Sequence, residues 1–434
     1  MNLAKTTILN GIAVLVRIAT TLSLNKVFAV AIGPTGYAVV GQFQNLITAV
    51  TALTSGALST GVTKYTAEYG GERARQIAAW RTAFGLNLVA CVVCALVLLL
   101  WREPIARRAL ADVGLAGAVA WLAGALFLSS ISALLIAILN GLKLVSLYVT
   151  ANIVGSLLTA VLAGALVYGL GLQGALIALA VSPAAALAFT GWLFFRHVGT
   201  PLRELIGRPD PTQSRLLGGF ALIGLAGALL PPLSQTAARY GISTSIGLHD
   251  TGLWQALMRI SDTHLMLLTT TLSVYLLPRL SEIRTRDELR HEVVQGQKFI
   301  VPLVVTTALV LWLSREWLIT ALLSPAFRPL ADVLGLQLIG DVVKISSWIF
   351  AYTLISRAKT RAYLINEFVF ALLSPALTVA GAHYGGLTGT AAAYIAVYLL
   401  YWVSVWALYT GLLKSDFPST RPLPATDAPS AAAN

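Results

Sequence analysis

Apolar blocks of membrane-spanning length, separated by short polar breaks, run through this chain from residue 7 to residue 412. A bilayer core about 30 Å thick needs about 20 helical residues to cross it. Backbone that crosses hydrocarbon must satisfy its own hydrogen bonds, so only helices or closed barrels can span. The blocks are continuous rather than alternating and are too long for buried strands, so the pattern predicts helices. One block, WRTAFGLNLVACVVCALVLLLW, runs from Trp80 to Trp101 and sets an indole at each interface. Charged residues make up only 11% of the chain, where a soluble domain has about a quarter. The sequence is that of an all-α integral membrane protein.

Several function classes fall away. The first block, about residues 7–32, is too long for a signal-peptide core and contains Arg17, so it reads as a retained helix. Cys91 and Cys94 lie within an apolar block, without the access or polar partners that redox or metal chemistry needs. No zinc pattern, Walker A motif, GxSxG elbow or long basic run is present. The net charge of +12 sits in short loops, where membrane topology accounts for it, so nucleic acid is not an expected partner.

Twelve spans are expected, at about 7–32, 37–66, 80–101, 114–140, 145–168, 172–196, 214–239, 251–280, 297–314, 331–356, 361–384 and 387–412. With the N-terminus in the cytoplasm, twenty Lys and Arg residues fall in cytoplasmic segments and six, Arg239 among them, on the other side. That bias puts both termini in the cytoplasm. The chain also repeats at an offset of 215 to 216. TGYAVVG at 35 answers TGLWQAL at 251, and YGLGLQGALIALAV at 168 answers YGGLTGTAAAYIAV at 384. Six spans per copy make parallel repeats, with a cavity expected between them near the midplane. The expected units are a lobe over 1–205, a second over 206–414, and a polar, disordered cytoplasmic tail over 415–434. The loops are too short to carry the ordered segment that a membrane glycan polymerase or ligase needs, so no catalytic residue is expected.

Charge inside a bilayer is costly and normally faces a protein interior. Arg17, Arg259, Asp262, Asp341 and Lys344 fall at similar depth on three spans, which predicts that they converge. Gln255, Arg259 and Asp262 share one helical face, as do Gln337, Asp341, Lys344 and Trp348. The second span offers an uncharged polar stripe, Gln44, Thr48, Thr51 and Ser55. Two readings stand for the pairs Arg259–Asp262 and Asp341–Lys344: local neutralisation at i, i+3, or a site. Arg17 has no acid near it in the first half, so it is either an anion ligand or half of a cross-lobe salt bridge. Headgroup candidates are therefore Arg17, Arg259, Lys344 and, at the cytoplasmic end, Lys64. Asp262, Asp341 and Glu367 are candidates for coupling to H⁺ or Na⁺; no other cofactor and no metal is expected. Lys26 reads as snorkelling, His249 and His264 as packing residues, and Pro231-Pro232 as a kink.

Over about residues 4–412 the chain resembles the Wzx-type lipid-linked oligosaccharide flippases of the multidrug/oligosaccharidyl-lipid/polysaccharide exporter superfamily. The resemblance rests on GPTG and GVTKY near the N-terminus, GLWQALMRISD, SVYLLPRLS, and LQLIGDVVKI followed by INEF. It implies two six-helix lobes around a V-shaped cavity in a bacterial inner membrane. It implies a substrate of undecaprenyl-pyrophosphate-linked oligosaccharide, either common-antigen lipid III or an O-antigen unit. Transport would be by alternating access, as an antiporter, with a glycan polymerase and a chain-length regulator as candidate partners. Arg259 departs from the common-antigen type and is similar to an arginine on the eighth helix of peptidoglycan-precursor flippases, so the sugar stays open. The other readings are a multidrug cation antiporter of the same superfamily, which would centre acids rather than Arg17, and a glycan polymerase.

Overall fold

The structure, a computed structural model, describes residues 3–272, 276–283, 285–357 and 359–415. The expected tail beyond residue 415, Arg284 and part of SVYLLPRLS lie outside the described residues. The described chain is helical throughout. Helical runs break at Gly33, Gly171, Gly247 and Gly386, each with positive φ (63°, 57°, 87° and 56°). Only glycine enters that region without a Cβ penalty. At three of these breaks the chain reverses. A Cβ on Gly174 would lie 1.9 Å from the Leu166 carbonyl oxygen, a Cβ on Gly389 would lie 1.9 Å from the Gly381 carbonyl oxygen, and Arg239 hydrogen-bonds Gln255.

Divided at these glycines, the long helices are α1 (3–32), α2 (34–68), α3 (Arg73–Leu100), α4 (Ala116–Gly141), α5 (145–170), α6 (172–198), α7 (211–246), α8 (248–271), α9 (Arg286–Leu313), α10 (Leu330–Ser356), α11 (360–384) and α12 (387–415). They match the twelve expected spans. Inside α2, Ala52–Gly56 winds as a π-helix. Short helices Arg102–Ala109 and Arg315–Leu322 follow α3 and α9 at equivalent places in the repeat. In the first, Glu103 opens and Arg107 and Arg108 close the helix, as the macrodipole favours. α7 begins with Asp210 accepting from the Gln213 amide and Pro211 in the first turn. Pro231 and Pro232 lie inside α7, where the backbone keeps helical dihedrals.

Lipid is as apolar as Leu, so helices associate through close packing and polar contacts rather than hydrophobic drive. The packing is uneven along the membrane axis. One core, containing Phe28, Phe43, Leu126, Leu257, Phe327 and Leu334, joins both lobes. Its residues cluster at the end that carries the Gly33 and Gly171 turns and the two short helices. At the end that carries the N-terminus the core divides. Trp80, Ile138 and Phe194 anchor one part; Leu280, Ile345 and Tyr409 anchor the other. The lobes are therefore joined at one end and separate at the other, which makes a V. The first turns of α7 stay with the first lobe: Leu217 belongs to its core, and the Asp210 amide donates to Thr82 Oγ1 at 2.9 Å.

Candidate functional site

A cavity of about 600 Å³ is lined by second-lobe residues from α7, α8, α10, α11 and α12. Lys344 of α10 enters it, 4.0 Å from the Asp262 carboxylate on α8. Its ammonium lies 5.5, 5.8 and 5.2 Å from the rings of Trp348, Tyr394 and Tyr398. Such a cage replaces part of the water shell of an ammonium by ring quadrupoles. On the same wall Tyr401 donates to Glu367 Oε1 at 2.6 Å.

Asp341 does not face this cavity. It is completely buried and accepts hydrogen bonds from Ser261 and, at 3.0 Å, from the Tyr394 hydroxyl. His264 Nδ1 lies 3.2 Å from its other oxygen, and His264 Nε2 lies 2.9 Å from Thr307 Oγ1 of α9. His264, read from sequence as a packing residue, is thus part of the acid's polar shell. The only local signal was its place three residues after Ser261, on one face of α8. Neither i, i+3 pair is in ion-pair contact among the described residues. Asp341 turns to α8 and α12, Lys344 turns to Asp262, and Arg259 reaches Gln44 in the other lobe.

The polar contacts between the lobes form a seam at the joined end of the V. Arg259 of α8 donates to Gln44, the first residue of the α2 stripe. Arg239 of α7 donates to Gln42 at 3.0 Å and also to Gln255. Arg239 was expected in a loop; it is 3% exposed and its guanidinium lies over the Trp254 ring at 5.7 Å. The apolar stretch of α7 ends near it, but the helix runs on to Gly247, which is why a hydropathy boundary misplaced it. Lys26 is a clasp rather than a snorkelling residue: its Nζ donates 2.8 Å to the carbonyl of Thr320, in the last turn of Arg315–Leu322. Ser324 donates to the Ala29 carbonyl beside it at 3.2 Å.

The remaining candidates sit apart. Arg17 is exposed on α1, and its side chain makes no hydrogen bond or ion pair among the described residues. Of the five intramembrane charges, Lys344 and Asp262 are brought together, at 4.0 Å. Lys64 is exposed near the terminal end of α2, 3.8 Å from Glu68. Thr48 donates to the Gln44 carbonyl of its own helix at 2.8 Å, and Thr51 is half-buried at the edge of the π-helix.

With this geometry in place, the chain can be set beside known proteins. The profile of a family described as "Polysaccharide biosynthesis protein" matches residues 27–332. A protein named Lipid III flippase from Escherichia coli (strain K12) is 32% identical over 406 residues, covering 92% of this chain and 96% of that protein. The Shigella flexneri protein of the same name aligns equally well. The chain belongs to this polysaccharide biosynthesis family. Within it the chain is kin to Wzx-type flippases, a transporter rather than an enzyme. Solved structures give the same architecture. An inward-facing MATE transporter of the MOP superfamily overlaps with a TM-score of 0.81 at 15% identity, over 93% of this chain and 96% of that one. An outward-facing member reaches 0.68 at 16% identity, over 95% of each chain.

Proposed function

We propose that this transporter flips an undecaprenyl-pyrophosphate-linked oligosaccharide, a common-antigen lipid III or an O-antigen unit, from the cytoplasmic to the periplasmic leaflet by alternating access. With both termini cytoplasmic, as the Lys and Arg bias supports, the open end of the V faces the cytoplasm, where the substrate is loaded. The observation that carries the reading is Arg259. It stands at the lobe seam with a neutral amide, Gln44, as its hydrogen-bond acceptor. A guanidinium held by an amide rather than a carboxylate remains available to phosphate oxygens, which it binds in a bidentate fork. Arg17 and Lys64 supply further positive charge along the open side, and Gln44, Thr48 and Thr51 offer neutral donors and acceptors for sugar hydroxyls. The prenyl tail stays in lipid, and no bond is broken.

Asp262, Asp341 and Glu367 carry the coupling to an ion gradient in this reading. The buried Asp341, with His264 at 3.2 Å, is the pair best built to exchange a proton. A multidrug cation antiporter would use the aromatic and acidic cavity of the second lobe, but there Lys344 already occupies the cage. The deciding experiment is leaflet exchange of a pyrophosphate-linked oligosaccharide in proteoliposomes under an imposed pH or sodium gradient, comparing wild type with Arg259→Gln, Arg17→Ala and Arg17→Lys. Exchange by wild type that is lost in Arg259→Gln bears the proposal out. Wild type that moves organic cations and no lipid overturns it.

A further inference from the structure

Arg239 has no part in the function as proposed so far, yet it is the most deeply buried cation described in the lobe seam. Its acceptors are two glutamine oxygens, Gln42 from the first lobe and Gln255 from the second. Its Nε has no acceptor among the described residues. A buried guanidinium normally meets a carboxylate, because an uncompensated charge in a low-dielectric interior is expensive. Neither Arg239, Arg259 nor Arg108 makes an ion pair among the described residues.

The surroundings of Arg239 give this charge a direction. Arg259, itself bonded to Gln44, lies on its inner side along the seam. On its outer side a small cleft of about 30 Å³ is lined by both Arg239 and Arg108, the latter at the end of the short helix Arg102–Ala109. Gln42, Ser243 and Thr251 complete the polar lining of that cleft. Three arginines thus follow one another from the V through the closed seam to its outer face.

We propose that Arg239 is an oxyanion site and the middle member of this series, taking phosphate or pyrophosphate from Arg259 and passing it to Arg108 as the closed end opens. This rests on the flippase reading above. The switch is built into the acceptors. A phosphate adds an opposite full charge and a second oxygen for the guanidinium fork, neither of which the single Gln42 amide oxygen supplies, so it displaces that amide. Gln42 belongs to the opposite lobe, so losing that bond releases the lobes from each other. A ligand that binds the parted state better shifts the protein toward it. A carboxylate at residue 42 would hold Arg239 too firmly for the exchange.

The test uses Ser324→Cys, which lies 7% exposed at the seam, in full-length protein lacking Cys91 and Cys94 and reconstituted in phosphatidylcholine nanodiscs. Its rate of maleimide labelling reports opening of the closed end. Inorganic pyrophosphate, at constant ionic strength against sulfate, is expected to speed labelling by ~5-fold or more, the low end of ordinary coupling between sites. Arg239→Gln should abolish that response, Arg239→Lys should keep part of it, and Gln42→Glu should label slowly with or without pyrophosphate. Thermal unfolding of each variant confirms its fold. A full pyrophosphate response in Arg239→Gln, or none in the parent, overturns the proposal. Arg239-dependent labelling in phosphatidylglycerol nanodiscs without pyrophosphate supports the site and identifies its anion as a bilayer headgroup. Arg239-dependent labelling in a protein that exchanges no lipid-linked oligosaccharide upholds the oxyanion site and rejects the flippase reading. Exchange without that dependence rejects the arginine series alone.

Discussion

Lys344 faces Asp262 at 4.0 Å across the second-lobe cavity, rather than Asp341 one turn away on its own helix. Asp262 is 59% exposed and Lys344 only 12%, so solvent screens the carboxylate while the rings hold the ammonium. The ion pair itself is expected to contribute up to about 1 kcal/mol, and the cage about 2 kcal/mol.

Lys344→Met should therefore lower stability more than Asp262→Asn does. Lys344→Arg keeps the charge but puts a planar fork in a cage shaped for an ammonium, and should recover part of the loss. Thermal unfolding of the two single variants and the double variant measures the coupling. A coupling well above about 1 kcal/mol would show that the ion pair, not the cage, holds Lys344.

Asp341 is the acceptor for Ser261, Tyr394 and His264. Asp341→Ala leaves these buried donors without it, at about 1–3 kcal/mol for each group left unsatisfied. Asp341→Asn keeps one acceptor oxygen and should cost less than half as much. Unfolding midpoints that rank the two variants the other way would exclude Asp341 as the acceptor of this cluster.

Gly252 lets the lobes close, since a Cβ there would lie 1.8 Å from the Pro34 carbonyl oxygen. Backbone cannot yield as a flexible side chain does, so Gly252→Ala should disfavour the joined end by about 1–3 kcal/mol. The expected sign is faster maleimide labelling of Ser324→Cys in Gly252→Ala, with unchanged labelling of a lipid-facing control position.

Lys26 caps the carbonyl of Thr320 across the seam. Hydrogen bonds to charged groups contribute about 1.5–3 kcal/mol, less where water competes. Lys26→Met should lower the yield of a disulfide engineered between Ala29→Cys and Ser324→Cys, and Lys26→Arg should restore it. An unchanged yield in Lys26→Met would show that the clasp does not hold the lobes.

The sequence by itself determined the helices, their number and their pairing into two lobes. Apolar length and backbone self-satisfaction leave a spanning segment no other form, and glycines such as Gly171 and Gly386 stand where the chain reverses. Composition also named the costly residues, among them Arg17, Arg259, Asp262, Asp341 and Lys344. Only the tertiary structure decided their partners. Helical spacing puts Asp341 beside Lys344, yet a side chain's partner depends on how each helix is rotated and how near its neighbours come. Contacts from distant parts of the chain set both, as between Arg259 and Gln44, 215 residues apart. The same packing drew His264 to Asp341, Lys26 to Thr320 and Arg239 into the seam. It also set Lys344 among rings from α10 and α12, because a helix's place in the chain says nothing of its rotation.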